Sequence, residues 1–305
     1  MSQTNKTLIS IIGATAIGKT SLSIALAQRL STEIISCDSR QFFREMKIGT
    51  AALSEAELRS VPHHFIGNLS IAQDYSVGDF EKDALQKISK LFKNHDYLIM
   101  VGGSGLYEKA INEGLDEFPD IPTGIKENLI REFEEKGIEF LQERLKQVDF
   151  EYYTQADIQN PVRLIRALEV YLATGKPYSS FRINSLRNRD FQSLKIGLTA
   201  PREIIYDRIN RRVEQMMSQG LLEEVKSLLL YRDKNALQTV GYKELFDYLD
   251  GKTTLDFAVE EIKKNTRRYA KRQLTWYRKD ASVHWFDYQE TDKIFDFIEK
   301  FEKKV

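Results

Sequence analysis

The sequence predicts an α/β fold: a doubly wound parallel sheet interrupted by a helical insertion domain. Three observations predict it. Short β-branched segments alternate with amphipathic helical segments at both ends of the chain, as in a parallel sheet covered by helices. The first β-segment runs straight into Gly13-Ala14-Thr15-Ala16-Ile17-Gly18-Lys19-Thr20, which fits G-x-x-x-x-G-K-[ST]. Between about 115 and 190 the strand signals vanish, while three stretches keep a helical period.

The elements follow in order. Leu8-Ile9-Ser10-Ile11-Ile12 is short, β-branched and bounded by glycine, which suits a strand buried on both faces. Leu22, Ala25, Leu26 and Leu30 fall at helical spacing, so 19–30 is expected as a helix. Residues 33–38 form a second strand ending on Asp38, expected beside the first. Residues 80–93 place Phe80, Ala84, Leu85, Ile88, Leu91 and Phe92 on one helical face. A third strand, 97–101, breaks at Gly102-Gly103-Ser104-Gly105, and two later strands are expected at 194–199 and 283–286. In the middle, 125–136, 138–148 and 161–174 are helical. Asn160 is a good N-cap with Pro161 in the first turn, and Gly175 followed by Pro177 is a good stop. On that last helix Leu164, Ile165, Leu168 and Leu172 are expected on the buried side, with Arg163 and Arg166 one turn apart and able to face the same groove or solvent. The expected organisation is a core of 1–114 and 191–305, with 115–190 inserted.

Of 305 residues, 42% are hydrophobic and 30% charged, the balance of an ordinary globular protein rather than a disordered or fibrous one. Lys+Arg and Asp+Glu are 45 each, so bulk charge does not point to a polyanion. Two local blocks do. Residues 263–279 carry eight basic side chains and no acidic one, and 160–189 carry six against Glu169 alone. In a neutral protein such blocks suit a polyanion held in a groove, though each also fits a solvated helix face. The single cysteine, Cys37, excludes an internal disulfide and a thiolate zinc site. There is no signal-peptide pattern and no apolar run of membrane-spanning length, so a cytoplasmic protein with no membrane partner is expected.

The 13–20 motif is a P-loop. Its glycines let the backbone approach phosphate oxygens, Lys19 neutralises their charge, and Thr20 can ligate Mg²⁺ at the positive end of the following helix. This makes the expected fold P-loop NTPase-like. The loop alone does not distinguish ATP, GTP and an allylic diphosphate. An NTPase would favour a carboxylate at the end of a later strand, but the third strand ends Val101-Gly102. Asp38 is the carboxylate in position to face bound phosphates, as a water-mediated metal ligand or a general base. It also suits a simple cap of the next helix. His63-His64 point apart in any regular structure and suit a packed or solvated pair better than a metal site. Trp276 and Tyr277 suit either base stacking or the core.

Seven segments in order then resemble one family. They are Gly13–Thr20, Asp38-Ser39-Arg40-Gln41, Gly102-Gly103-Ser104-Gly105-Leu106-Tyr107, and Asn160-Pro161-Val162-Arg163-Leu164 with the residues to Glu169. Residues 208–213, Val240-Gly241-Tyr242-Lys243-Glu244 and 266–278 complete the series. Over nearly the full chain the sequence is similar to tRNA dimethylallyltransferases. The resemblance implies transfer of a dimethylallyl group from dimethylallyl diphosphate to N6 of adenosine 37 in the anticodon stem-loop of tRNA. In that family the P-loop holds the allylic diphosphate with Mg²⁺. Carried over, Asp38 accepts the amine proton, Thr15 and Lys19 contact the diphosphate, Thr20 the metal, and Arg208 neutralises the leaving group. Asp38, Ser39, Arg40, Gln41, Ser104, Lys126, Asn160, Pro161, Val162, Arg163 and Leu164 match tRNA-contacting positions, and 238–243 and 271–278 do so less closely. The sequence departs from the family at Ala14 (usually proline), Ser104 (often threonine), Lys126 (often arginine) and Gly67-Asn68, where an aspartate is usual. Rival readings are an adenylate isopentenyltransferase acting on free AMP or ATP, a small-metabolite kinase, and a non-catalytic nucleotide switch. A monomer is expected.

Overall fold

The computed structural model describes residues 6–183 and 186–302. The chain divides into two compact units, 1–112 with 188–305, and 113–187.

The first unit is built on six parallel strands. In chain order they and the helices between them are β1 (Thr7–Gly13), α1 (Lys19–Arg29), β2 (Ile34–Ser36), α2 (Glu55–Ser60), β3 (His63–His64), α3 (Val77–Leu91), β4 (Tyr97–Val101) and α4 (Gly105–Asn112). The second unit carries α5 (Ile125–Lys136), α6 (Ile138–Val148), α7 (Phe150–Gln155) and α8 (Pro161–Thr174). The chain re-enters the first unit as β5 (Gln192–Thr199), α9 (Arg202–Ser218), α10 (Leu221–Ser227), α11 (Tyr242–Leu249), α12 (Leu255–Tyr277), β6 (Val283–Asp287) and α13 (Thr291–Glu302). The sheet order is β3-β2-β4-β1-β5-β6.

Strand β1 is buried along its whole length, paired with β4 through Ile9 and Ile99 and with β5 through Ile9 and Leu194. Its side chains alternate between two cores. Ile9 and Ile11 pack with Leu22 and Leu26 of α1, Ile209 of α9 and Ile298 of α13. Leu8 packs on the other side with Phe80, Ala84 and Ile88 of α3. Helices on both faces make the sheet doubly wound, as its near-continuous apolar strands require. A third cluster joins Val213 of α9, Leu221 and Val225 of α10, Leu245 of α11 and Ile262 of α12.

The structure corrects several expectations. Strand β2 is not beside β1, because β4 lies between them. It also ends at Ser36, so Asp38 sits two residues past the sheet, in the turn. Helix α3 starts at Val77, ahead of the apolar stripe, because Ser76 and Asp79 form a reciprocal capping box. The two-residue edge strand β3 at His63–His64 was not expected, since two residues leave no period to read.

In the second unit, α5, α6 and α8 bury Leu129, Leu141, Leu145, Leu164 and Leu168 against one another. Asn160 Oδ1 accepts from the Val162 and Arg163 N–H groups at 3.1 and 3.3 Å, and Gly175 ends α8 in the left-handed region with φ 71°. Leu172 is 41% exposed, against expectation: it keeps the helical register of Leu164, Ile165 and Leu168 but stands in the last turn of α8. Among the described residues no helix is long and apolar enough to cross a membrane.

Candidate functional site

The P-loop wraps the N-terminus of α1. Gly13 has φ +141°, and a Cβ there would lie 2.7 Å from the Leu198 carbonyl oxygen, so the residue must be glycine where β1 leaves the sheet beside β5. Gly18, φ +112°, caps α1. Ala14 and Ile17 are buried, so they contribute backbone and packing rather than side-chain contacts. Lys19 opens the helix and folds back on its own loop, donating to the Gly13 and Ala14 carbonyls at 3.1 and 2.7 Å. Burial pulls its ammonium down to about 8, with the Asp38 carboxylate opposing the shift and the Arg212 guanidinium adding to it.

A cavity of about 840 Å³ opens beside this loop, lined by Thr15, Lys19, Thr20, Asp38, Arg208 and Arg212 among others. Arg208 and Arg212 are one turn apart on α9, so both reach it. Arg208 Nε donates to the Ala16 carbonyl at 2.7 Å, and its guanidinium lies over the Tyr288 ring. Arg212 reaches the Ala51 carbonyl, and burial holds its guanidinium below the usual value. A cavity with this much positive charge suits a bound polyanion.

Asp38 opens a turn, and among the described residues no helix begins beside it for it to cap. Its Oδ1 accepts the Arg40 N–H at 3.1 Å, closing the turn, while the carboxylate lines the same cavity as Lys19. The neighbours are fixed tightly. Ser39 bonds the Ser104 hydroxyl through its N–H at 3.1 Å and through its hydroxyl at 3.0 Å. Arg40 donates to the Val240 carbonyl at 2.5 Å, while its Nε is buried without a partner. Gln41 Nε2 points at the Thr50 and Ala51 carbonyls, at 3.4 and 3.3 Å. The structure therefore brings Thr15, Lys19, Thr20, Asp38, Arg40, Gln41 and Arg208 to one cavity, with Ser39 and Ser104 joined beside it.

Lys126 and Asn160–Leu164 belong to the second unit. There Leu164 is fully buried and Asn160 spends its side chain on capping, so within this segment the outward groups are Val162, 73% exposed, and Arg163. The Leu164 side chain thus belongs to the core.

Among the described residues no group of three or more His, Cys, Asp or Glu side chains is placed to hold a metal ion. Thr20 and Asp38 are among the oxygen donors lining the cavity, a pair that suits a hard cation shared with a diphosphate and water rather than a protein-only cage.

Three features escaped the sequence reading. Gln273, uncharged within a basic block, is buried and accepts the Thr15 N–H. Tyr242 is fully buried; its hydroxyl donates to Glu224, whose carboxylate also accepts the Ile48 and Gly49 N–H groups. The side chain of this motif residue braces a loop. The basic block of α12 is also divided. Lys263 pairs with Glu214 and Glu260 and Lys264 with Glu261, whereas Lys271, Arg272, Arg278 and Lys279 have no carboxylate partner among the described residues. Trp276 is 44% exposed and lies against Gly105, so it is not a core residue. His64, far from a metal site, bonds Glu33 at 2.6 Å.

The model of the IPP transferase family matches residues 41–280. The chain belongs to the IPP transferase family. Relatives within it are similar from end to end. A tRNA dimethylallyltransferase of Christiangramia forsetii is 59% identical over 96% of this chain and 97% of its own. Another, of Flavobacterium johnsoniae, is 55% identical over 94% and 95%. Among solved structures, the tRNA isopentenylpyrophosphate transferase of Bacillus halodurans superposes with a TM-score of 0.73 at 38% identity, over 98% of this chain and 97% of that one. A eukaryotic dimethylallyltransferase acting on tRNA superposes with a TM-score of 0.75 at 26% identity, over 94% of this chain and 75% of that one. The family match begins at residue 41, but the relatives cover nearly the whole of this IPP transferase family member, including its phosphate loop and Asp38.

Proposed function

We propose that this protein transfers a dimethylallyl group from dimethylallyl diphosphate to N6 of adenosine 37 in the anticodon loop of tRNAs. The products are N6-dimethylallyladenosine and diphosphate. One observation carries the reading: a carboxylate, Asp38, lines the same cavity as the phosphate loop and several cations, Lys19, Arg208 and Arg212 among them. The relatives named above act on tRNA by their names, and the two basic blocks suit an RNA acceptor better than a free mononucleotide.

The chemistry needs these parts. The exocyclic amine of adenine is a weak nucleophile held in a stacked loop, so the base must leave the stack at a cost of a few kcal/mol. As the nitrogen bonds the allylic carbon, the carbon–oxygen bond to diphosphate breaks. Asp38 takes the proton that the amine loses. Lys19 and Arg208 neutralise the charge gathering on the departing diphosphate, and Thr15 lies in the loop that cradles it. Bound Mg²⁺, held through Thr20 and the diphosphate oxygens, would add further charge neutralisation. Ser39, Arg40, Gln41 and Ser104 then stand at the acceptor side. Lys126, Pro161, Val162 and Arg163 offer a second RNA-facing set on the inserted unit, residues 113–187. A monomer working in the cytoplasm completes the proposed reading.

Incubation with dimethylallyl diphosphate, Mg²⁺ and an anticodon stem-loop carrying three adenines tests the reading. Mass gain on the RNA supports it. Gain on AMP alone would move the assignment to adenylate prenylation, and ATP turnover without prenyl transfer would discard both.

A further inference from the structure

We infer that Gln273 is a positioning residue, an amide bracket that sets the spacing between the diphosphate cradle and Asp38. The inference rests on the proposed reading of Asp38 as the base. Gln273 stands on α12 and is 5% exposed. Its Oε1 accepts the Thr15 N–H at 2.8 Å, and its Nε2 donates to the Gly103 carbonyl at 2.8 Å. The orientation of the amide is fixed by its partners, since a backbone N–H can only donate and a carbonyl can only accept. One side chain therefore ties the P-loop to the glycine turn that follows β4, with no slack in either arm.

The turn is also the wall behind the carboxylate. A Cβ on Gly103 would stand 2.2 Å from Gln273 Nε2 and 3.8 Å from Asp38 Oδ2. Glycine at 103 thus admits the amide, and a side chain there would also come into van der Waals contact with the proposed base. Ser104, next in the chain, bonds Ser39, which follows Asp38. Tyr269, one turn before Gln273 on the same helix face, also reaches the Gly103 carbonyl at 3.4 Å. Strands β1 and β4 are neighbours whose paired positions end at Ile11 and Val101, and Gln273 spans the loops that follow. A lost arm lets the cradle and the base drift relative to one another. Misplacement of reacting groups by about 1 Å costs on the order of 100-fold in rate, while each substrate still binds its own loop.

Two substitutions keep the shape and remove the arms. Gln273→Glu keeps an acceptor for Thr15 but sets an oxygen against the Gly103 carbonyl; Gln273→Met removes both bonds. Gly103→Ala is the independent variant, pushing the amide away without altering it. Single-turnover transfer, donor KM and RNA Kd are measured for each beside the wild type, with melting followed in parallel. The expected result is a rate loss of roughly 10- to 100-fold, with donor KM and RNA Kd within about threefold of wild type. Wild-type rates in folded variants would overturn the inference, as would a loss confined to KM, RNA Kd or melting temperature. Absence of transfer by the wild type would instead overturn the functional reading itself, and the bracket with it.

Discussion

Lys19 donates to the Ala14 carbonyl at 2.7 Å, so the cation of the phosphate loop is held by the loop itself. Its proton is also loosely held, at about 8 against 10.5 for a free lysine, because the charge is buried. The unfolded chain keeps this proton across that interval, so the contribution of Lys19 to folding stability rises with pH between about 8 and 10.5. Diphosphate binding has the opposite dependence, since the ligand favours the ammonium. Affinity for inorganic diphosphate is expected to fall as pH climbs through 8, by up to about tenfold per pH unit, with proton uptake on binding at about pH 9. Calorimetry in buffers of different ionisation enthalpy reads that uptake; a pH-independent affinity contradicts it.

Asp38→Asn keeps the acceptor for the Arg40 N–H and so keeps the turn. Transfer is expected to be lost by at least about 100-fold, with RNA affinity nearly intact. Loss of RNA binding with an unchanged single-turnover rate would make Asp38 a docking residue.

Tyr242→Phe removes one of three donors from Glu224 and nothing from the cavity wall. A destabilisation of about 1–3 kcal/mol is expected in urea unfolding, with RNA affinity unchanged at a permissive temperature. Weaker RNA binding without loss of stability would return this motif to the RNA surface.

The divided basic block predicts divided salt responses. Lys271→Ala should weaken RNA binding and lower the slope of log K against log salt by about one. Lys263→Ala, whose ammonium already answers Glu214 and Glu260, should leave the slope unchanged. Equal effects from the two would mean that RNA binding displaces those ion pairs.

On α8, Leu164→Ala is expected to cost roughly 2–5 kcal/mol of stability in the inserted unit, because the site is fully buried. Val162→Ala, outward-facing, should leave stability alone and register only in RNA affinity. The reverse pattern in thermal melts would refute this division of the segment.

These residues show what the sequence could and could not disclose. The P-loop was legible because its glycines and Lys19 act through local backbone geometry. Helices α5, α6 and α8 were legible to the residue, since caps and apolar period are local signals. The place of β4 between β1 and β2 was not, because strand order is set by crossovers that leave no mark in a short window. Nor was Gln273, whose partners lie 258 and 170 residues away in sequence. Tyr242 and Leu164 fell within recognisable motifs, but motif membership does not distinguish a brace or a core side chain from an outward one; burial does.

The central claim is that the phosphate loop serves a prenyl donor and that the acceptor is one adenine amine. The most direct measurement is nucleoside analysis of an anticodon stem-loop after reaction with dimethylallyl diphosphate and Mg²⁺, with ATP left out. The account predicts N6-dimethylallyladenosine at the adenosine following the anticodon and no other modified nucleoside. An RNA that stays unmodified until ATP is supplied, or a prenyl group found elsewhere than on that N6, would contradict it.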